Sequence, residues 1–142
     1  MKDWQTPVLL FSAKAGKIMY SIPDRLSKGL SMQAFELERL IDEHAASKGL
    51  YLEFLKVPGL SIGLYRLPVG GTDPQSPHTE DEVYYVVKGK AKIRVAEEER
   101  AVQAGSVVYV AKNVEHRFHS IEEELTLLVF FAPAEYSQLN KK

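Results

Sequence analysis

The sequence predicts a mainly β, antiparallel sandwich or barrel, preceded by an N-terminal segment that contains one helix. Three observations carry that prediction. From Leu50 onward, short runs rich in Val, Ile, Leu, Tyr and Phe follow one another, with Pro58-Gly59, Gly70-Gly71, Gly89 and Gly105 between them; this is the punctuation of short strands joined by turns. Ala91, Ile93 and Val95 alternate with Lys90, Lys92 and Arg94, the period of two that gives a strand one apolar face. Between Met32 and Lys48, by contrast, Phe35, Leu37, Leu40, Ile41, His44 and Ala45 recur at spacings of three and four, the period of a helix.

Taken in order, residues 1 to about 30 read as irregular, punctuated by Pro7, Gly16, Pro23 and Gly29. The helix is expected over Met32 to Lys48, with Ser31 as N-cap and Gly49 in the left-handed position that ends helices. Strands are expected over Leu50–Val57, Leu60–Leu67, Glu82–Lys88, Lys90–Val95, Ser106–Val110 and Leu125–Ala132. Val107–Val110 and Leu125–Phe131 are apolar on both faces, so their outer faces need cover from the N-terminal segment or from a second subunit. The acidic triplets Glu97–Glu99 and Glu122–Glu124 read as solvated turns between strands. The chain thus divides into an N-terminal extension, 1–49, with its helix packing on the barrel, a β domain, 50–134, and a C-terminal tail, 135–142.

Composition narrows the function classes. With 142 residues the chain is long enough for one domain with a real core. A formal net charge of −1 with interspersed signs argues against nucleic acid or an anionic membrane surface as partner, since either favours a basic patch. No cysteine occurs, which removes thiolate metal sites, disulfides and thiol nucleophiles. Met1 to Lys14 holds one short apolar run, Val8 to Phe11, without the longer apolar stretch of an export signal, and no run approaches a membrane span. The expected location is the cytoplasm.

Three of the four histidines, His78, His116 and His119, fall in the strand-rich half. The segment from Gly70 to Gly89, GGTDPQSPHTEDEVYYVVKG, resembles the first motif of the cupin superfamily, G-x5-H-x-H-x3-4-E-x6-G. His78 stands in the second histidine slot, Glu82 in the carboxylate slot and Gly89 in the closing glycine slot, while Ser76 occupies the first histidine slot. The segment from Gly105 to His116, GSVVYVAKNVEH, resembles the second motif, G-x5-P-x-G-x2-H-x3-N. Here Gly105 and His116 match; Ala111 replaces the proline, Asn113 the glycine and Ser120 the asparagine. Asn also tolerates the left-handed conformation that the glycine slot requires. A register taking His78 and Glu80 as the first pair puts tyrosine in the carboxylate slot and breaks the spacing to Gly89.

The resemblance implies a closed, cupin-type jelly-roll barrel in which His78, Glu82 and His116 face the interior and hold one divalent metal ion. Imidazole and carboxylate suit Fe, Mn, Zn, Ni or Co, and two histidines with one carboxylate match the facial triad of non-haem iron oxygenases. One geometric condition follows. Residues four apart on an extended strand are separated by roughly 13 Å, so the chain must bend at Thr79-Glu80-Asp81. Ser76 would leave a coordination position to water or substrate. Gln75 and Glu80 are candidates to approach the site as neighbours of the ligands. Tyr84 and Val86 share parity with Glu82, and Phe118 shares it with His116, which makes these three pocket-wall candidates. Val83, Tyr85, Val87 and His119 are expected to face outward, and His44 to sit at a surface or core edge. One of Tyr65 and Arg66 faces inward; Arg inward would point to an anionic substrate.

The expected function is a metal-dependent enzyme acting on a small organic molecule, dioxygenase-, isomerase- or lyase-like, with Tyr84 as the candidate acid or base. The alternatives are a non-catalytic cupin that binds or senses a small ligand, and a barrel that binds no metal. The two-faced apolar strands imply a homodimer.

Overall fold

The structure is a computed structural model that describes residues 32–139, together with the backbone of two short strands at 8–11 and 18–21. Its elements are β1 (Val8–Phe11), β2 (Ile18–Ser21), α1 (Leu37–Ser47), β3 (Tyr51–Val57), β4 (Leu60–Leu67), β5 (Asp81–Val95), β6 (Glu98–Gln103), β7 (Val107–Val110) and β8 (His116–Ala132). All strand pairs are antiparallel, as the short runs and tight turns predict. None of the described helices is long and apolar enough to cross a membrane.

The main sheet runs β3-β4-β8-β5-β6, with β7 on the other half of β5. Its backbone is one long ribbon made of β5 and β8, in register from Asp81↔Ala132 at one end to Val95↔His116 at the other. The ribbon is bent. Its ladder slips between Val86 and Lys92, and Gly89 sits there at φ 106°. Strands β4 and β7 flank the half that contains Asp81, and β6 flanks the other. Side chains from both halves, including Tyr84, Ile93, Val102, Phe118 and Leu127, pack into one core. Among the described residues the hydrogen-bond ladder does not run round to its start, because β6 and β7 divide the free edge of β5 and neither reaches β3. The jelly-roll is therefore an open one, which corrects the expected closed barrel.

Several boundaries move for identifiable reasons. Gly89 separates no strands; it lies inside the continuous β5, where its Cα approaches the facing strand so closely that a Cβ would come 2.2 Å from the Glu124 carbonyl oxygen. A turn glycine and a bend glycine leave the same trace in a sequence. Glu122–Glu124 lie within β8 and are exposed. Glu97 belongs to a tight turn with Ala96, while Glu98 and Glu99 open β6. Strand β6 escaped the pattern because Val102 is its one buried side chain.

The helix is shorter than its periodicity implies. It starts at Leu37 after an extended Glu36 that makes no side-chain cap bond. Phe35 stays out of it, its ring against Phe54 at 5.0 Å. At the other end Lys48, and not Gly49, takes the left-handed position at φ 59°. His44 is buried, with Nε2 2.7 Å from the Leu50 carbonyl oxygen. Leu40 packs with Leu52, Phe54 and Leu64, so α1 is the cover over the outer face of β3 and β4. Near the N-terminus β1 and β2 pair as a hairpin, Val8↔Ser21 to Phe11↔Ile18, where irregular chain was expected; Pro7, Gly16, Pro23, Gly29 and Ser31 lie outside the described residues.

The bend at Gly89 generates a prediction. Gly89→Ala places a Cβ at a positive φ and against backbone, so it is expected to cost at least ~2 kcal/mol, measured as a lower midpoint in chemical denaturation.

Candidate metal centre

Glu82 and His116 begin at opposite ends of the β5–β8 ribbon. His116 pairs with Val95, thirteen positions along β5 from Glu82, which on a flat sheet is about 43 Å. Yet His116 Nε2 lies 3.0 Å from Glu82 Oε2. The bend brings the two ends together, helped by β7, whose Val110 pairs with Glu82 shortly before the turn into His116. That turn contains Asn113 at φ 63°, the left-handed position that Asn accepts. The Asn113 amide donates to the His78 carbonyl at 2.6 Å, which ties the loop after β4 to the turn before β8. The chain bends at Thr79-Glu80 before β5 starts, and His78 Nε2 reaches 3.9 Å from Glu82 Oε2.

One donor atom from each of His78, Glu82 and His116 therefore lies within 4.8 Å of the other two. Atoms about 2.1 Å from a common ion stand roughly 3–4.3 Å apart, so small side-chain adjustments suffice. Glu82 is 1% exposed and His116 3%. His78 Nε2, His116 Nε2 and both Glu82 oxygens are buried and, apart from the 3.0 Å contact between His116 Nε2 and Glu82 Oε2, have no hydrogen-bond partner. A buried carboxylate left so is costly, and a cation at the shared point removes the cost. The donor set fits a divalent ion. His116 Nδ1 sits 2.8 Å from the Val114 carbonyl oxygen; donating there fixes the tautomer and leaves the Nε2 lone pair facing Glu82.

Electrostatics agrees with this arrangement. Burial would lower the His116 pKa, but the Glu82 carboxylate and the Val114 carbonyl, with Asp73 behind them, outweigh it and raise it above 6.5. Without an ion, Glu82 thus favours the protonated form of His116. Burial and the charge of Glu82 hold the Tyr84 phenol well above the usual range, so it remains a donor, and its hydroxyl donates to Gln75 Oε1 at 2.7 Å.

A residue that sequence reasoning missed organises the loop. Asp73 is buried and accepts four hydrogen bonds: Oδ1 from the Tyr65 hydroxyl at 2.7 Å and the Gln75 amide at 3.2 Å, Oδ2 from Gln75 Nε2 at 2.7 Å and the Phe118 amide at 2.8 Å. Donors from β4, β8 and the loop itself thus pin the segment that carries His78. In the sequence Asp73 precedes a proline in a glycine-rich stretch and reads as a turn residue; nothing local marks its partners.

A cavity of about 470 Å³ opens beside the triad. Gln75 and Ser76 line it. Tyr84, Val86 and Phe118 do not: they are buried in the packed core beneath, with the Tyr84 ring 4.9 Å from Phe118 and 6.0 Å from His116. Glu80 is buried away from the cavity, its Oε1 accepting from Thr79 Oγ1 at 2.7 Å and from the Gln138 amide at 3.3 Å. Tyr65 faces inward and lines the cavity, while Arg66 faces outward and pairs with Glu124. His119 lies outside, 3.0 Å from Glu99. Further wall comes from Leu50, from Tyr51 on β3, from Val129 and Phe131 on β8, and from Glu135 and Tyr136 after it. Tyr51 lies over Gly63, where a Cβ would come 2.2 Å from its ring.

Residues 63–132 match the family described as Cupin domain. An uncharacterised protein of Streptomyces coelicolor is 52% identical over 104 residues, which are 73% of this chain and 99% of that protein. Among solved structures, a Thermus thermophilus protein superposes with a TM-score of 0.60 at 23% identity, covering 72% of this chain and 99% of that one. A cupin of Methanocaldococcus jannaschii with a double-stranded β-helix fold superposes with a TM-score of 0.58 at 19% identity, covering 74% and 94%. At such identities the structural likeness speaks for the fold.

Three outcomes are expected from this geometry. Asp73→Asn replaces an acceptor of two hydrogen bonds by a donor and is expected to lower stability by about 2–3 kcal/mol, read by denaturation. In metal-free protein the raised His116 pKa contributes stability that is fully present below the ordinary histidine value and is lost as pH rises through the folded-state value. The stability difference between wild type and His116→Gln should therefore shrink as pH rises across that interval. Zinc affinity, which needs the neutral ring, should increase over the same interval.

Proposed function

Because the chain belongs to the cupin superfamily, we propose that His78, Glu82 and His116 hold one divalent metal ion and that the protein is a metal-dependent enzyme acting on a small organic molecule. The observation that carries this reading is the set of four buried donor atoms from His78, Glu82 and His116 that face one another next to a cavity. A bound ion there would supply Lewis-acid polarisation, or a place for dioxygen and substrate together. The chain's own contribution is to bind and orient. Val114 sets the His116 tautomer, Asp73 and Asn113 fix the His78 loop, and Ser76 stands at the rim where the superfamily motif has another histidine. Tyr84 acts through Gln75, holding its amide at the cavity wall.

A second reading, a binding or sensing module without chemistry, is supported by one observation. Tyr84, the candidate proton carrier, spends its hydroxyl on Gln75.

The apolar outer face of β5 and β7 supports a homodimer. Tyr85, Val107 and Tyr109 are 40%, 67% and 61% exposed, and Val107 and Tyr109 pair across the ladder with Tyr85 and Val83. The helix covers the opposite end of the sheet and leaves this face bare.

Elemental analysis of protein purified without chelator or nickel resin is expected to find one divalent ion per chain, lost in His78→Ala and His116→Ala. At a hundredfold excess of ion over Kd the wild type should gain about 2.7 kcal/mol in stability. Absence of ion from wild type, or equal binding by both variants, sinks the metal reading. With metal present, oxygen uptake or turnover of a small phenol, sugar or carboxylate favours the enzyme, and binding without turnover favours the module. Light scattering is expected to give a dimer mass that falls to the monomer in Val107→Lys; a wild-type monomer at high concentration contradicts the dimer.

A further inference from the structure

The walls of the cavity are chemically one-sided. Among its described lining residues there are two carboxylates, Glu82 and Glu135, and no lysine or arginine. Glu135 is 3% exposed, with Oε1 4.0 Å from His78 Nδ1, on the edge of that ring away from Glu82. Its backbone is fixed from both sides. The amide donates to Ser61 Oγ at 2.8 Å, and the carbonyl accepts from Lys56 Nζ at 3.1 Å. Lys56 makes that bond from outside the cavity lining and faces Glu53 at 3.9 Å. The other polar groups on this wall, the phenols of Tyr51, Tyr65 and Tyr136, are neutral, held protonated by burial and by the surrounding carboxylates.

With a divalent ion at the triad, the charges of Glu82 and Glu135 match it, and the cavity offers an anion no net attraction. An anionic ligand beside His78 would instead face the buried carboxylate of Glu135, a like charge. Hydroxyl and amino groups meet the negative carboxylate of Glu135, which the Tyr136 hydroxyl also bonds, and a polar wall in Gln75 and the phenols. We propose that this cavity selects an uncharged or cationic, hydroxyl- or amine-bearing molecule over anionic ones, and that Glu135 is the residue that sets the preference. The proposal rests on the metal reading above and names the ligand class of that same site.

The test uses the full chain loaded with Co²⁺, whose visible bands report ligands entering at the metal. Azide is the anionic probe and imidazole the neutral one. Glu135→Gln removes the charge and keeps the shape; its cobalt spectrum shows that the triad is intact, and Glu135→Ala replaces it should the glutamine variant fail to fold. Azide is expected to bind about tenfold more tightly to the variant than to wild type, with imidazole unchanged within about twofold. Azide affinity that does not move, or azide and imidazole moving together, overturns the proposal while leaving the metal reading intact. Absence of cobalt bands in wild type overturns the metal reading, and this proposal with it.

Discussion

The folding of the β5–β8 ribbon onto itself is the constraint on which everything else in this molecule depends. Antiparallel register places Glu82 and His116 at opposite ends of a long ladder, and a 3.0 Å contact between their side chains exists because the ribbon bends through its own middle. Register slippage between Val86 and Lys92 and a glycine at positive φ allow that bend. The same bend brings the two halves of the sheet face to face and creates the core between them. Core and site are thus two results of one curvature, and neither could be moved without the other.

That curvature leaves a carboxylate in a dry interior. Below Glu82 are Tyr84 and Phe118, packed as in any apolar core; above it is the cavity. A charge so placed needs compensation, and the structure supplies two imidazoles with their second nitrogens directed elsewhere, one of them to a backbone carbonyl. The raised pKa of His116 and the fit of the donor set to a cation are two expressions of the same electrostatic demand. A proton and a metal ion would compete for one position.

Much of this was legible in the sequence where a residue's role depends on its own neighbours along the chain. Apolar runs between turn signals located β4 and the first part of β5, alternation located residues 90–95, and the helical stripe located α1, whose buried Leu40 and His44 belong to it. Motif spacing brought His78, Glu82 and His116 together as candidates before any coordinates did. What stayed hidden depends on partners distant in sequence. Gly89 looked like a turn because the demand on it comes from Glu124 on the facing strand. Asp73 looked like loop because its donors lie on β4, in the loop and on β8. Strand β6 carries too few buried side chains to show a period. Parity placed Tyr84, Val86 and Phe118 on the inner face correctly, but parity does not tell how deep along the strand the packing ends and the cavity begins.

Where the cavity's components come from has a further consequence. The triad and the loop that carries His78 lie within residues 63–132, the segment shared with other cupin domains, whereas Tyr51, Glu135 and Tyr136 lie outside it. The three clustered donors and part of the cavity wall therefore come from different stretches of the chain, one inside the shared segment and one flanking it. Related chains that share the same three donors need not share a substrate.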